Sequence, residues 1–261
     1  MKILVIGDSC IDEFVYGDIR RISPEAPIPV FVPTKSKTND GMAKNVSNNV
    51  KSLGSDIELI TNQNGIVKRR YVDNRSGQMV LRVDEHDWTP RINTKVLQGI
   101  TNNKIVPYGK GDTIENIDAI IVSDYCKGFL EEGDIKHICD NNDNVFVDTK
   151  KKLGKWIKSA DYIKINELEY QKNHELLSDD GFEEKLIVTL GSEGCRYNNN
   201  QYSVPSVSVK DVSGAGDTFL AGLVVKYVEN GDIVESIKFA QKCTTQVVQL
   251  KGVAQVKLGE L

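Results

Sequence analysis

The sequence predicts an α/β protein with a mainly parallel central sheet, helices on both faces, and a second, smaller sheet set apart from it. Three observations predict this. Short apolar runs such as "KILVI" at 2–6, "IDAIIVSD" at 117–124 and "LIVTL" at 186–190 are continuous rather than alternating, as strands covered on both faces must be. Helix-spaced stretches fall between them, the rhythm of parallel strands joined by crossovers. Two segments, 13–33 and 68–87, instead alternate with period two and read as strands of the smaller sheet.

The elements follow in order. "KILVI" ends at Gly7-Asp8. "EFVYGDIRRISPEAPIPVFVP" at 13–33 carries Pro24, Pro27 and Pro29, which suit edge or loop positions and exclude a central ladder strand. "GMAKNVSNNVKSLG" at 41–54 sets Met42, Val46, Val50 and Leu53 on one helical face and stops at Gly54. "IELI" at 57–60 is the next strand. In 68–87, an "NRSG" turn precedes a run in which Met79, Leu81 and Val83 face away from Val80 and Arg82. "IDAIIVSD", "NVFVD" at 144–148, "DYIKI" at 161–165 and "LIVTL" continue the main sheet. "CRYNNNQYSVP" at 195–205 reads as a hairpin whose asparagines tolerate positive φ. Leu220, Leu223, Val224, Tyr227 and Val228 define a helix stopped by Asn230-Gly231.

With 261 residues, the expectation is one domain over 1–261, with lid strands inserted at about 13–35 and 67–85. A hydrophobic content of 39% with 27% charged residues belongs to a soluble globular chain. The net charge of −4 argues against nucleic acid or an anionic membrane as the main partner. Lys68, Arg69, Arg70 and Arg75 form a local basic cluster, in the plainest reading a solvated face. There is no signal-peptide core and no run near the ~20 apolar residues of a membrane helix, so a cytoplasmic location is expected. Cys10, Cys126, Cys139, Cys195 and Cys243 contain no CxxC pair, and His86, His137 and His174 lack metal-ligand spacing. Neither a disulfide framework nor a zinc site is expected.

Asp8, Asp124, Asp148, Asn166 and Gly191 each end a strand run, so all lie on the carboxyl edge of the sheet, where ligands bind in open α/β folds. The stretch "VKDVSGAGDTFLAGL" at 209–223 places "SGAGD" at a helix start, where unpaired amides and the helix dipole attract an anion. Asp217 beside that anion would repel a merely bound phosphate. Its presence points to a hydroxyl proton being removed as a phosphoryl group arrives. The alternative is a carboxylate that only caps the first turn, with the glycines serving tight packing. A P-loop GxxxxGK[ST] is absent, and GxGxxG fails at Phe219.

Taken together, "DVSGAGDTF" at 211–219, "NELE" at 166–169 and "GDSCID" at 7–12 resemble the signatures of the PfkB, or ribokinase-like, carbohydrate kinase family, over nearly the whole chain. Within it, "RISPEAPIPV" at 21–30, "KRRYVD" at 68–73, "LRVDEHD" at 81–87 and "SDYCKGFL" at 123–130 are similar to the heptose 7-phosphate kinase branch. The resemblance implies a ribokinase-like three-layer α/β/α sandwich with a small β-sheet lid, which in many relatives also makes a homodimer contact. It implies ATP and Mg2+, and transfer of a phosphoryl group to a sugar or sugar phosphate, foremost D-glycero-β-D-manno-heptose 7-phosphate to the 1,7-bisphosphate. By this resemblance Asp217 is the general base, and the amides of Gly214, Ala215 and Gly216 form an anion hole. Asn166 and Glu169 place Mg2+ through water, while Gly191, Gly194, Asn166 and Lys164 meet ATP. Asp8, Asp12, Gly41, Asn45 and Asp124 meet the sugar, and Arg70, Arg82 and Lys127 a phosphate on it. Two departures stand out: Gly41-Met42 replaces paired glycines, and Val253 replaces a small polar residue. No segment corresponds to the nucleotide-transferring domain fused to some heptose kinases, so only the kinase step is expected. The alternatives are a kinase for another sugar, sugar phosphate or nucleoside, and a catalytically silent sugar- or nucleotide-binding regulator.

Overall fold

The apolar run that opens the chain forms β1 (Lys2–Gly7), and its pleat divides it between two cores. Ile3 and Val5 face one layer, whereas Leu4 and Ile6 face the other. The structure, a computed structural model, describes residues 1–109, 111–179 and 181–261, without the side chains of 174–176, 178 and 179; the expectation for His174 lies outside the described residues.

β1 pairs in parallel with β4 (Asp56–Thr61) on one side and β9 (Ala119–Asp124) on the other. The sheet continues in parallel through β10 (Val145–Thr149), β11 (Tyr162–Asn166) and β12 (Leu186–Thr189). It closes with an antiparallel hairpin, β13 (Cys195–Tyr197) and β14 (Asn200–Tyr202), whose turn residues Asn198 and Asn199 have φ of 45° and 60°. Strand order is β14-β13-β12-β11-β10-β9-β1-β4. One face carries α1 (Ala43–Ser52), α5 (Ala215–Asn230) and α6 (Ile233–Val247), whose Val46, Val50, Leu220, Leu223 and Ile237 join Ile3 and Val5 in one apolar cluster. The other carries α3 (Glu132–Asn141) and α4 (Glu167–Asp179), with Ile135, Ile138 and Leu177 packed in the cluster of Leu4 and Ile6. A short helix, α2 (Thr94–Gln98), and the ribbon of β7 (Ile100–Thr101) and β8 (Lys104–Ile105) fill the connection into β9.

The second sheet contains β2 (Ser9–Ile22), β3 (Pro29–Met42), β5 (Ile66–Asp73) and β6 (Met79–Glu85), in the order β3-β2-β5-β6. Pro29 and Pro33 lie on β3, an edge strand, where a missing N–H breaks no ladder. The lid strands start nearer the core than the alternation predicts: β2 begins at Ser9 and β3 runs to Met42, the cap of α1. The Asp8 carbonyl accepts from Ala43 N at 2.9 Å, so the two chain crossings between sheets are bonded to each other.

Candidate active site

All the strand-end polar residues meet on one edge of the main sheet. Asp148 on β10 and Lys164 on β11 are register neighbours, and their side chains form a buried ion pair at 2.5 Å. Burial alone would push the Asp148 carboxyl up; the charges of Lys164 and Lys150 outweigh it and hold the group below the usual range. Lys150 bridges Asp148 Oδ1 at 3.2 Å and Glu169 Oε1 at 2.7 Å. Asn166 and Glu169 form a reciprocal cap at the start of α4: Glu169 Oε2 accepts from Asn166 N at 2.8 Å, and Asn166 Oδ1 accepts from Glu169 N at 2.9 Å.

The glycine loop opens α5. Gly214 sits at φ 78°, and a Cβ there would lie 2.7 Å from Asn45 Nδ2; one on Gly216 would lie 3.1 Å from Lys164 Nζ. The Ala215 amide donates to the Val212 carbonyl at 3.1 Å, while those of Gly214 and Gly216 have no acceptor among the described residues. Asp217, in the first turn, is buried. Its Oδ2 accepts from Asn45 Nδ2 at 2.9 Å and its Oδ1 from the Tyr125 hydroxyl at 2.6 Å. Burial pushes its carboxyl up to about 6, with Asp148 adding to the effect and Asn45, Tyr125 and Lys164 opposing it. This is the range a general base near neutrality requires.

Beside the loop is a cavity of about 480 Å³ lined by Gly191, Gly194, Ala215, Gly216, Phe219 and Thr245 among others. It has the apolar walls and polar rim of a small-molecule site.

Residues 85–258 match the pfkB family of carbohydrate kinases. The chain belongs to that family. Bifunctional protein HldE of a Nitratiruptor species is 31% identical over 303 aligned positions, covering 100% of this chain and 64% of the relative. Bifunctional protein HldE of Helicobacter pylori is 28% identical over 309, covering 100% and 65%. The chain thus spans slightly less than two thirds of the length of these relatives. In fold it is similar to Arabidopsis thaliana ribokinase complexed with ribose and ATP (TM-score 0.68, 16% identity, 98% of this chain and 96% of that one). It is also similar to Escherichia coli phosphofructokinase-2 in complex with potassium (TM-score 0.71, 13% identity, 99% and 96%).

On the lid side of this pfkB chain, Asp12 and Arg70 form an ion pair at 2.5 Å. Gly41 backs the same carboxylate: a Cβ there would lie 2.2 Å from Asp12 Oδ2. Arg70 and Arg82 stand directly opposite each other on β5 and β6, a destabilising arrangement of like charges unless anions neutralise it. Arg82 is held by Asp84 through two bonds of 2.7 Å, and Lys127 by Asp87 at 2.5 Å. Lys68 differs. It is 9% exposed, has no carboxylate within ion-pair distance among the described residues, and lies 5.5 Å from the Tyr125 ring centroid. Burial, with Lys127 and Arg82 nearby, pulls its ammonium below the usual lysine range. The basic run is therefore split: Arg69 bonds Glu13 and Glu85, away from this group.

Like Asp12, the other two acidic residues expected at the sugar are already engaged. Asp8 accepts from the amides of Tyr125 at 2.7 Å, Lys127 at 3.2 Å and Phe129 at 3.3 Å, and so shapes the "SDYCKGF" loop. Burial and the charge of Asp124 raise its carboxyl nonetheless. Asp124 accepts from the Thr149 hydroxyl at 2.5 Å and pairs with Lys151 at 3.2 Å. Tyr125, Lys68, Lys150 and Asp148 were not singled out as site residues from sequence. Asp148 had a visible strand-end signal, and Tyr125 sits inside a motif already noted; the burial of Lys68 had no local signal.

Proposed function

We propose that this chain transfers the γ-phosphoryl group of ATP to a hydroxyl of a sugar that already carries a phosphate. D-glycero-β-D-manno-heptose 7-phosphate is the first candidate, giving the 1,7-bisphosphate. Lys68 carries the choice of a phosphorylated acceptor. A nine-tenths buried ammonium with no carboxylate within ion-pair distance among the described residues, beside Arg82 and Lys127, is stabilised when an anion enters. The similarity to the HldE proteins supports the same class of substrate.

Asp217 takes the proton of the attacking hydroxyl as its oxygen bonds to the γ-phosphorus; the bond from that phosphorus to the bridging oxygen breaks and ADP leaves. The free amides of Gly214 and Gly216, at the N-terminus of α5, face the charge that builds on the transferring group. Lys164, over Gly216, adds a cation from the sheet side. The adenosine end of ATP fits the cavity between Gly191, Gly194 and Thr245. Both Glu169 oxygens already have partners, so a directly ligated metal fits poorly there. The carboxylates of Asp148 and Glu169 would instead hold a metal through water. Mg2+ held there would neutralise charge on the ATP phosphates. Asp12 and Asn45, with the Gly41 backbone, flank the acceptor sugar, and Asp8 and Asp124 support the site by holding its loop. Ile22, Ile28, Val32, Met79 and Leu81 are exposed on the lid and supply an apolar surface for a homodimer.

A neutral acceptor is the second reading, favoured by the carboxylate partners of Arg70, Arg82 and Lys127. ADP release with ATP and Mg2+ over a panel of sugars and sugar phosphates separates the two. Phosphosugars should turn over faster than their neutral counterparts; the reverse order rejects the phosphate site, and no turnover of any sugar by folded, ATP-binding protein rejects the kinase.

A further inference from the structure

Tyr125, inside the "SDYCKGFL" run, touches both the sheet edge and the lid side of this site. Its hydroxyl donates to Asp217 Oδ1 at 2.6 Å. Its amide is held by Asp8, and its ring packs on a small buried cluster of Cys10, Met42 and Ile66. Lys68 of the lid and Lys150 of the sheet edge lie 5.5 and 5.4 Å from the ring centroid. Burial, then the charges of Asp217 and Asp148, hold the phenol well above its ordinary range, so it remains a donor at any working pH.

Beneath the ring is an unusual backbone. Met42 has φ 59° and ψ −136°, left-handed territory normally left to glycine, yet its side chain is buried. Strain of this kind persists only where the surrounding structure enforces it. Here it puts the Met42 side chain into the floor on which Tyr125 rests.

We propose that Tyr125 is a positioning residue for the catalytic base: its hydroxyl orients Asp217 and favours the ionised carboxylate, and Met42 seats the ring that makes this possible. The inference rests on the reading of Asp217 as the base. The groups facing Asp217 are Asn45 from α1, Tyr125 from the loop after β9, Asp148 from β10, Lys164 from β11 and the Cys10 thiol from β2. Those facing Tyr125 also include Lys68, Lys150 and Cys10. Among them, Tyr125 and Asn45 donate directly to the carboxylate, so removing the phenol oxygen leaves one of two such bonds.

Tyr125→Phe keeps the ring and removes the donor. The acid limb of kcat should move up by roughly one pH unit, with a loss of about tenfold at pH 5 that shrinks to about threefold at pH 6.5 and nearly vanishes at pH 8.5, and a KM for sugar changed less than threefold. A readout independent of turnover is the carboxyl 13C titration of Asp217 in the full chain, which should shift the same way. Met42→Ala should move the limb in the same direction by less, and should add nothing in a Tyr125→Phe background. An unmoved Asp217 titration in Tyr125→Phe overturns the proposal whether or not the kinase is active. So does a kcat loss equal at all pH values, or a Met42→Ala shift that survives in the double variant. Failure of the kinase reading is separate: it appears as no sugar-dependent ADP release by the unsubstituted chain.

Discussion

The two sides of the cleft treat charge differently. On the sheet side, Asp148, Lys164, Lys150 and Glu169 form a closed chain in which every ion has a protein partner. On the lid side, two arginines face each other across a strand pair, each held by an aspartate, and Lys68 is buried with no carboxylate within ion-pair distance among the described residues. Closed chains hold geometry, and open ones store affinity for a ligand that is absent until it binds. Substitutions should therefore damage stability on the sheet side and substrate binding on the lid side.

The largest expected effect lies at the junction of the two. Asp217→Asn should lower kcat by roughly 10³-fold with little change in ATP binding, read as initial rates of ADP release. Because burial raises this carboxyl to about 6 from an ordinary 3.8, its ionisation lowers stability as the pH rises from about 3.8 to about 6, and the full cost stands above that. The same variant should be more stable than the parent at pH 8 and not at pH 4, measured by urea unfolding. Next is Lys164→Met, which leaves the buried Asp148 carboxylate with only the longer Lys150 contact and should destabilise by about 3 kcal/mol in the same assay. Lys68→Met should do the opposite: the melting temperature rises by a few degrees while KM for a phosphosugar rises roughly 10-fold and that for a neutral sugar hardly moves. Loss of stability in Lys68→Met would break the comparison, since it would mean the lid cation has a structural partner. The smallest effect is on the pH profile. Activity should fall below about pH 6 as Asp217 protonates, whereas Asp148, held low by its lysines, stabilises the fold until the pH drops below the ordinary carboxylate range.

The parallel strands of the main sheet were legible because most are written locally, as an apolar run ending in a polar residue. "KILVI" and "LIVTL" needed no knowledge of distant residues. The "SGAGD" loop was legible for the same reason, since a helix start is a local event. The state of each charge was not. Whether Lys68 meets a carboxylate depends on the register of β5 against β2 and β6, where Asp12 and Asp84 stand beside it but bond to arginines. Asp8 reads as a free ligand group in sequence, yet three amides from a loop over a hundred residues away take up its oxygens. The Gly41-Met42 departure was visible, but its consequence, a buried side chain under Tyr125, required the fold.

The bonded crossing at Asp8 and Ala43 gives the lid a mechanical character. β2 leaves the core at Ser9 and extends 14 residues to Ile22, roughly 45 Å of strand. A lever pinned at one end moves little near its fulcrum and far at its tip. Asp12, with Arg70 bonded to it, sits within the first few residues of the arm, so a rotation of about 10° displaces it by roughly 2 Å and the tip by roughly 8 Å. Geometry alone therefore keeps Asp12 and Arg70 close to the main sheet for any small tilt of the arm.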